Sequence, residues 1–165
     1  MSVSFLRIDD RMIHGQTVTR WSLEYPCDGL IAVNDKAATT DALKMAYKSA
    51  STKKTFVRTY EAWKKKNQKV LDSKDNYFLI TKDSIQMKKI LVDDGFVPSD
   101  VKKVIVGPCN DRPEAVKLGN NQSITQEEAE ALEAISKAGY EIEFALIKEA
   151  SIGTWDKFRG QFGFN

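Results

Sequence analysis

Histidine is almost missing from this chain of 165 residues, which holds one, His14. Cysteine is scarce too, with Cys27 and Cys109 the only two. A structural zinc site needs about four Cys or His ligands, so these three residues cannot complete one, and a zincin-type histidine pair is excluded. Two cysteines far apart in sequence make no disulfide framework. Each reads as a small buried or half-buried thiol. Net charge is low: 25 Lys and Arg against 23 Asp and Glu leave +2. That balance makes no global case for nucleic acid as a partner. Long hydrophobic runs are absent as well. Arg7 and Asp9 interrupt the N-terminus before a signal peptide could form, and no stretch approaches the roughly 18–20 apolar residues of a membrane span. The expectation is a cytoplasmic protein with one domain over residues 1–165, since domains run to about 100–200 residues. A hydrophobic share of 42% is enough for a sizeable core. If the protein uses histidine chemistry, it uses His14.

What is present is an alternation of short apolar runs with amphipathic stretches. Strands are expected at 3–8, 29–33, 55–58, 77–81 and 104–106, a brief one at 115–118, and a final one at 140–147. The first helix is expected over 16–24, ending before Pro26 because the residue preceding proline is pushed out of the helical region. Others are expected over 40–49, from a Thr59 cap to about 67, from an Asp83 cap to Gly95, and at 155–158. Thr125-Gln126-Glu127-Glu128 is a capping box, opening a helix that Gly139 would stop. Strands alternating with helices imply βαβ units. The expected fold class is therefore α/β: a single-domain, three-layer α/β/α open sheet, mostly parallel, of about six or seven strands. Such sheets bind ligands beyond the carboxyl ends of their strands, at a topological switch point. Residues just after strands become candidates: Asp9 to His14, Asn34, Asp35, Thr81 with Lys82, and Pro108 to Asp111 with Asn110 among them.

The segment Arg7-Ile8-Asp9-Asp10-Arg11-Met12-Ile13-His14-Gly15-Gln16 joins a strand end, a loop and a helix start. Imidazole is nucleophilic near neutral pH, where its unperturbed pKa of about 6.5 makes protonation easy to set. Arg11, three residues earlier, could fold a guanidinium over an anion held on the ring. Gly15 lets the backbone approach closely, and helix amides near Gly15 and Gln16 could donate to a phosphate. Asp9 or Asp10 could hold the other ring nitrogen and so set the tautomer. Either could equally cap the loop backbone. The set suits a histidine that carries a phosphoryl group. A non-phosphotransferase α/β enzyme or a regulatory binding module could use the same crevice.

This segment resembles the active-site signature of the IIB components of the bacterial phosphotransferase system, mannose/fructose/sorbose class. Trp21, Asn34-Asp35, Val106-Gly107-Pro108, Asn110, Arg112-Pro113, Lys117-Leu118-Gly119 and the stretch 141–144 extend the resemblance along nearly the whole chain. Cys109 stands where a Met is more usual, and Glu114 where a Gly often stands. The resemblance implies that His14 is nucleophile and carrier, usually through Nδ1, with no metal and no cofactor. It implies a IIA protein as phospho-donor and a membrane IIC/IID permease as the site of the acceptor sugar (mannose, fructose, sorbose, or an amino sugar such as N-acetylgalactosamine). The location implied is cytoplasmic, held to the inner face of the membrane through the permease. A homo-oligomer is compatible with all of this.

The small net charge hides an asymmetry. Residues 36–74 hold 11 basic residues against three acidic ones, and residues 111–143 hold eight acidic against three basic. Solvated helix faces explain much of this, but a basic region of such size could also face anionic lipid or an acidic donor protein.

Overall fold

The structure is a computed structural model that describes residues 2–98 and 100–165, with the side chain of Gln16 outside the described part. Its strands, in chain order, are β1 (Val3–Ile8), β2 (Gly29–Val33), β3 (Lys54–Arg58), β4 (Tyr77–Thr81), β5 (Lys103–Val106), β6 (Val116–Gly119), β7 (Gln122–Ile124), β8 (Glu141–Ala145) and β9 (Ser151–Thr154). The helices are α1 (Gly15–Trp21), α2 (Asp35–Thr39), α3 (Asp41–Ser49), α4 (Tyr60–Leu71), α5 (Ser84–Lys88), α6 (Gln126–Lys137) and α7 (Trp155–Phe158). A π-helical turn, Lys89–Asp93, prolongs α5.

Seven strands form one sheet in the order β3-β2-β4-β1-β5-β8-β9, and β6 pairs with β7 in a separate hairpin. All neighbours in the large sheet are parallel except β8 and β9. The inner strands β2 and β4, and most of β1 and β5, are apolar runs without polar alternation, as strands covered on both faces must be, whereas β3 and β8 nearer the edges alternate in part. Side chains still alternate between the two layers. Phe5, Leu30, Ala32, Phe78, Ile80 and Ile105 pack with α1 and Ala37 of α2. Leu6, Ile8, Ile31, Val33, Leu79, Val104 and Val106 pack with α4, α5, α6 and α7. This is the expected three-layer α/β/α fold.

The order of strands also marks the switch point. From β1 the chain crosses to β2 and β3 on one side, returns to β4 between β2 and β1, then places β5 on the other side of β1. Register brings Ile8 beside Thr81 and beside Val106. The carboxyl ends of β1, β4 and β5 therefore finish together. Among the described residues, no helix is long and apolar enough to cross a membrane.

Local chemistry accounts for several helix ends. Thr59 Oγ1 accepts from the Ala62 amide at 3.1 Å, and Asp83 Oδ1 from the Gln86 amide at 2.9 Å. At α6 the box closes both ways: Thr125 Oγ1 accepts from Glu128 N at 3.2 Å, and Glu128 Oε1 from Thr125 N at 2.9 Å. Gly139 follows α6 with φ 104, a conformation that suits glycine.

Some expectations are corrected. The first helix was expected to run to 24 but ends at Trp21, where the amides of Glu24 and Tyr25 both turn back to the Trp21 carbonyl, each at 3.0 Å. The short helix α2 was not expected, because five residues are too few to display a helical period. Asn34 caps it by accepting from the Ala37 amide at 2.9 Å. The strand expected at 115–118 is β6, and its partner β7 was missed at three residues long. The strand expected at 140–147 stops at Ala145 and is not the last, since β9 follows and closes that edge. A four-residue strand containing Gly153 carries too little pattern to be read.

Glu114 has φ 72, a left-handed conformation that costs an L residue about 1–2 kcal/mol. Glycine adopts it freely but loses more chain entropy on folding, about 0.5–1 kcal/mol. Glu114→Gly is therefore expected to raise stability modestly, by about 0.5–1 kcal/mol, read as a higher urea midpoint at unchanged slope. A lower midpoint would show that the strain is absent.

Candidate active site

β1 carries one charged residue, Arg7, a cation with 1% exposure in the middle of the fold. Its guanidinium has an ordered set of partners. Nε donates to Asp9 Oδ2 at 3.2 Å, Nη1 to the Ala145 carbonyl at 3.3 Å and Nη2 to the Leu146 carbonyl at 3.0 Å. The Trp21 ring lies under it, its centre 5.2 Å from Cζ. Burial alone lowers the Arg7 pKa, and the contact with Asp9 opposes that effect. Gly107, just after β5, leaves room for the group: a Cβ there would lie 2.3 Å from Arg7 Nη2.

Asp9 has no exposure at all and is held from four sides. Besides Arg7, it accepts from the Arg11 amide through Oδ1 at 2.9 Å, from His14 Nε2 through Oδ2 at 2.9 Å, and from the Thr17 hydroxyl at 3.3 Å. Burial opposes its charge, but the bond to His14 and the Arg7 cation outweigh that and hold its carboxyl below the usual range. An ionised carboxylate only accepts, so His14 must present Nε2–H to it. Nδ1 is then left with the lone pair. Thr17 Oγ1, 2.6 Å from Nε2, accepts from the same ring N–H and donates its own hydrogen bond to Asp9 Oδ2. The His14 ring keeps 13% exposure. The loop that delivers it is strained at Met12, which is buried at φ 50.

The two aspartates of the motif divide the tasks that the sequence left open. Asp9 meets the ring. Asp10 caps loop backbone: its Oδ2 accepts from the Asn110 amide at 2.7 Å, and its own amide donates to the Pro108 carbonyl at 2.9 Å. The loop after β5 is braced in turn by the β6–β7 hairpin, through Cys109 N to Asn121 O at 2.7 Å and Ser123 N to Cys109 O at 2.9 Å. Burial pushes the Cys109 thiol well up.

Arg11 is exposed and lines a cleft of about 390 Å³ with Asp10, Lys82, Pro108, Asn110 and Asn121. Gly15 and the Gln16 backbone begin α1 directly after His14, and a Cβ on Gly15 would meet nothing within 4 Å. The remaining rim candidates are employed in the fold. Asn34 caps α2, Asp35 Oδ1 accepts from the Tyr60 amide at 2.8 Å, and the fully buried Thr81 donates its hydroxyl to the Asp83 carbonyl at 2.8 Å. Of the four, only Asn110 reaches the cleft. Arg7, Thr17 and Asn121 were not singled out from sequence as site residues, whereas Lys82, a strand-end candidate, does line the cleft. Two carried a readable signal: an arginine inside an apolar strand demands a buried partner, and Thr17 sits one helical turn past His14.

Gly107→Ala is expected to push Arg7 from its slot and cost about 1–3 kcal/mol of stability, as overpacking does. Gly160→Ala is the control, because a Cβ there meets nothing within 4 Å. Equal urea midpoints for the two variants would remove the steric argument.

Comparison with known proteins now adds what the geometry alone does not name. The family model for the PTS system sorbose subfamily IIB component matches residues 3–164. The chain is 27% identical over 146 residues to the fructose-specific EIIB component of Bacillus subtilis, covering 87% of this chain and 86% of that one. It is 25% identical over 152 residues to the mannose-specific EIIAB component of Escherichia coli K12, covering 87% of this chain but 44% of that longer protein. In fold it matches the crystal structure of the IIB domain of the sorbose permease from Klebsiella pneumoniae, with a TM-score of 0.81, 20% identity, and coverage of 97% of this chain and 98% of that one. With a strand-end histidine on its topological switch point and a family match over nearly its whole length, the chain belongs to the sorbose-subfamily IIB components of the phosphotransferase system.

Proposed function

We propose that His14 carries a phosphoryl group through Nδ1, between a phosphorylated IIA protein and a sugar held by a membrane IIC/IID permease. The observation that carries this reading is the Asp9–His14 pair. With Nε2–H donated to a buried carboxylate at 2.9 Å, the lone pair is confined to Nδ1. In the first step the N–P bond of the donor phosphohistidine breaks and the Nδ1–P bond forms. The negative charge of Asp9 stabilises the ring as it becomes cationic. In the second step the Nδ1–P bond breaks and an O–P bond to a sugar hydroxyl forms, with the hydroxyl proton released to water. Neither step needs more than in-line geometry and charge stabilisation.

Arg11 is the leading phosphate clamp, because it is a cation on the exposed side of the loop. Lys82 shares its cleft, and the first amides of α1 at Gly15 and Gln16 are secondary donors. The sugar class is that of the family: mannose, fructose, sorbose or an amino sugar. The protein would work in the cytoplasm, against the inner face of the membrane. Transfer complexes of this kind are small and short-lived.

The direct test is labelling with phosphoenolpyruvate, the general phosphotransferase proteins and a IIA protein. The wild type is expected to gain an acid-labile, base-stable phosphohistidine. His14→Ala should fold normally and take no label; normal labelling of that variant would sink the assignment. Arg11→Ala should accept the group about tenfold or more slowly, and a rate within about twofold of wild type would take Arg11 out of the mechanism. Asp9→Asn keeps the shape but removes the charge that sets the tautomer. It should slow acceptance by at least about a hundredfold, by analogy with the orienting carboxylate of a catalytic triad. Near-normal rates there would show that Nδ1 does not depend on Asp9.

A further inference from the structure

The sheet order turns a charge imbalance along the chain into one across the molecule. β3 is an edge strand. Residues 36–74, with 11 basic side chains against three acidic, comprise that edge strand and the helices α3 and α4 that flank it. Adding the bordering Asp35 and Asp75 still leaves 11 against five. Residues 111–143, with eight acidic against three basic, comprise the β6–β7 hairpin, α6 and most of β8, on the far side of β1 and β5. One edge is cationic, while on the opposite flank Glu128, Glu133 and Glu143 are paired with Arg112, Arg159 and Lys103.

Few of the edge cations are spent on internal pairs. Lys54 meets Asp75 at 2.7 Å and Lys64 meets Glu61 at 2.9 Å. Lys48, Lys65, Lys66, Lys69 and Lys74 are exposed and, among the described residues, have no ion-pair partner. Helix α3 adds an apolar feature. None of its residues is fully buried. Ala42, Met45 and Ala46, on one helical face by their spacing, all face outward, and Met45 is 68% exposed. Lys48 is exposed on the same helix. Between β3 and α4 runs a groove of about 230 Å³ with Arg58, Lys66 and Lys69 around an apolar floor that includes Phe56.

We propose that the β3 edge, with α3 and α4, docks on an anionic phospholipid bilayer. Three features favour lipid over an acidic protein. The exposed cations are lysines, compact and flexible point charges rather than the bidentate forks that read a fixed carboxylate. They lie along α3, α4 and the turn after α4, and of the five only Lys66 and Lys69 converge on the groove. Met45 offers an apolar side chain able to enter the headgroup layer between them, as amphipathic interfacial helices do. With β3 along the membrane, the strands run roughly parallel to it. The His14 end then opens alongside the bilayer, within reach of a membrane-embedded acceptor; that benefit rests on the phosphoryl-transfer reading, whereas the docking itself does not.

The test is sedimentation with phosphatidylcholine vesicles, with and without phosphatidylglycerol, at low salt. Juxtamembrane basic residues each contribute about a fivefold gain in partitioning, so the wild type should bind the anionic vesicles at least about tenfold better and lose that preference in high salt. Reversal of four lysines together (Lys48→Glu, Lys65→Glu, Lys66→Glu, Lys69→Glu) should abolish the preference. Met45→Gln should weaken binding about two- to fivefold without altering its salt dependence. Reversal of Lys102 and Lys137, away from this edge, should change little. A wild type indifferent to phosphatidylglycerol would overturn the proposal, as would equal losses from the two sets of reversals. If vesicle binding is absent but the four reversals slow acceptance from phospho-IIA, the edge serves an acidic protein and the lipid proposal fails. His14→Ala should bind vesicles as the wild type does, so a failure of the phosphoryl chemistry and a failure of docking are read separately.

Discussion

A carboxylate sealed from water cannot remain charged alone, and Asp9 is sealed completely. Its ionisation rests on Arg7, equally buried, and on the donors of Arg11, His14 and Thr17. Much of the site can be read as the housing for this pair. Arg7 needs the carbonyls of Ala145 and Leu146 at the end of β8, the Trp21 ring of α1, and the missing side chain of Gly107 after β5. One buried cation therefore ties together three strand ends and the first helix. The same contacts that keep Asp9 charged also determine which nitrogen of His14 carries a proton.

The topology makes this housing possible. Because β1 lies between β4 and β5, its carboxyl end is enclosed by strand ends on both sides. Asp9 N donates to Thr81 O at 2.9 Å, and Gly107 N to Ile8 O at 2.7 Å. Asp10 then straps the loop to Asn110, and the hairpin β6–β7 braces the segment beyond. A loop that must turn sharply through Met12 at φ 50 is held in that strained shape by neighbours on each side. The two aspartates look alike in sequence, yet the pleat and the turn send one to the ring and the other to backbone.

Much of this was legible in the residues. The apolar runs located the strands of the parallel sheet, and the Thr59, Asp83 and Thr125 caps marked helix starts because a capping side chain acts on its own next turn. The strand-end rule led directly to the His14 loop. What was not legible depended on distance along the chain. Nothing near Asn34, Asp35 or Thr81 distinguishes a residue that caps a helix from one that faces a ligand; both sit after a strand, and only the fold shows them already engaged. The short elements α2, β7 and β9 owe their form to neighbours rather than to periodicity. Thr17 was missed because its role appears only when the His14 ring turns back over the first turn of its helix.

In the proposed reaction, the placement of the two arginines would suit a carrier rather than a tight binder. Arg7 is buried, where charge interactions are strong, and its full attention goes to Asp9 and to backbone carbonyls. Arg11 is exposed, where water weakens its attraction for an anion. In the proposed reaction, a strong, buried clamp on the phosphoryl group would stabilise the loaded histidine as much as the transition state. Uniform stabilisation of that kind lowers the energy of the intermediate without speeding its departure. A carrier must release what it receives. In that reaction, a buried cation that orders Asp9 and His14, with the exposed one left for the phosphoryl group, would keep the loaded and unloaded states close enough in energy for transfer to run on to the acceptor sugar.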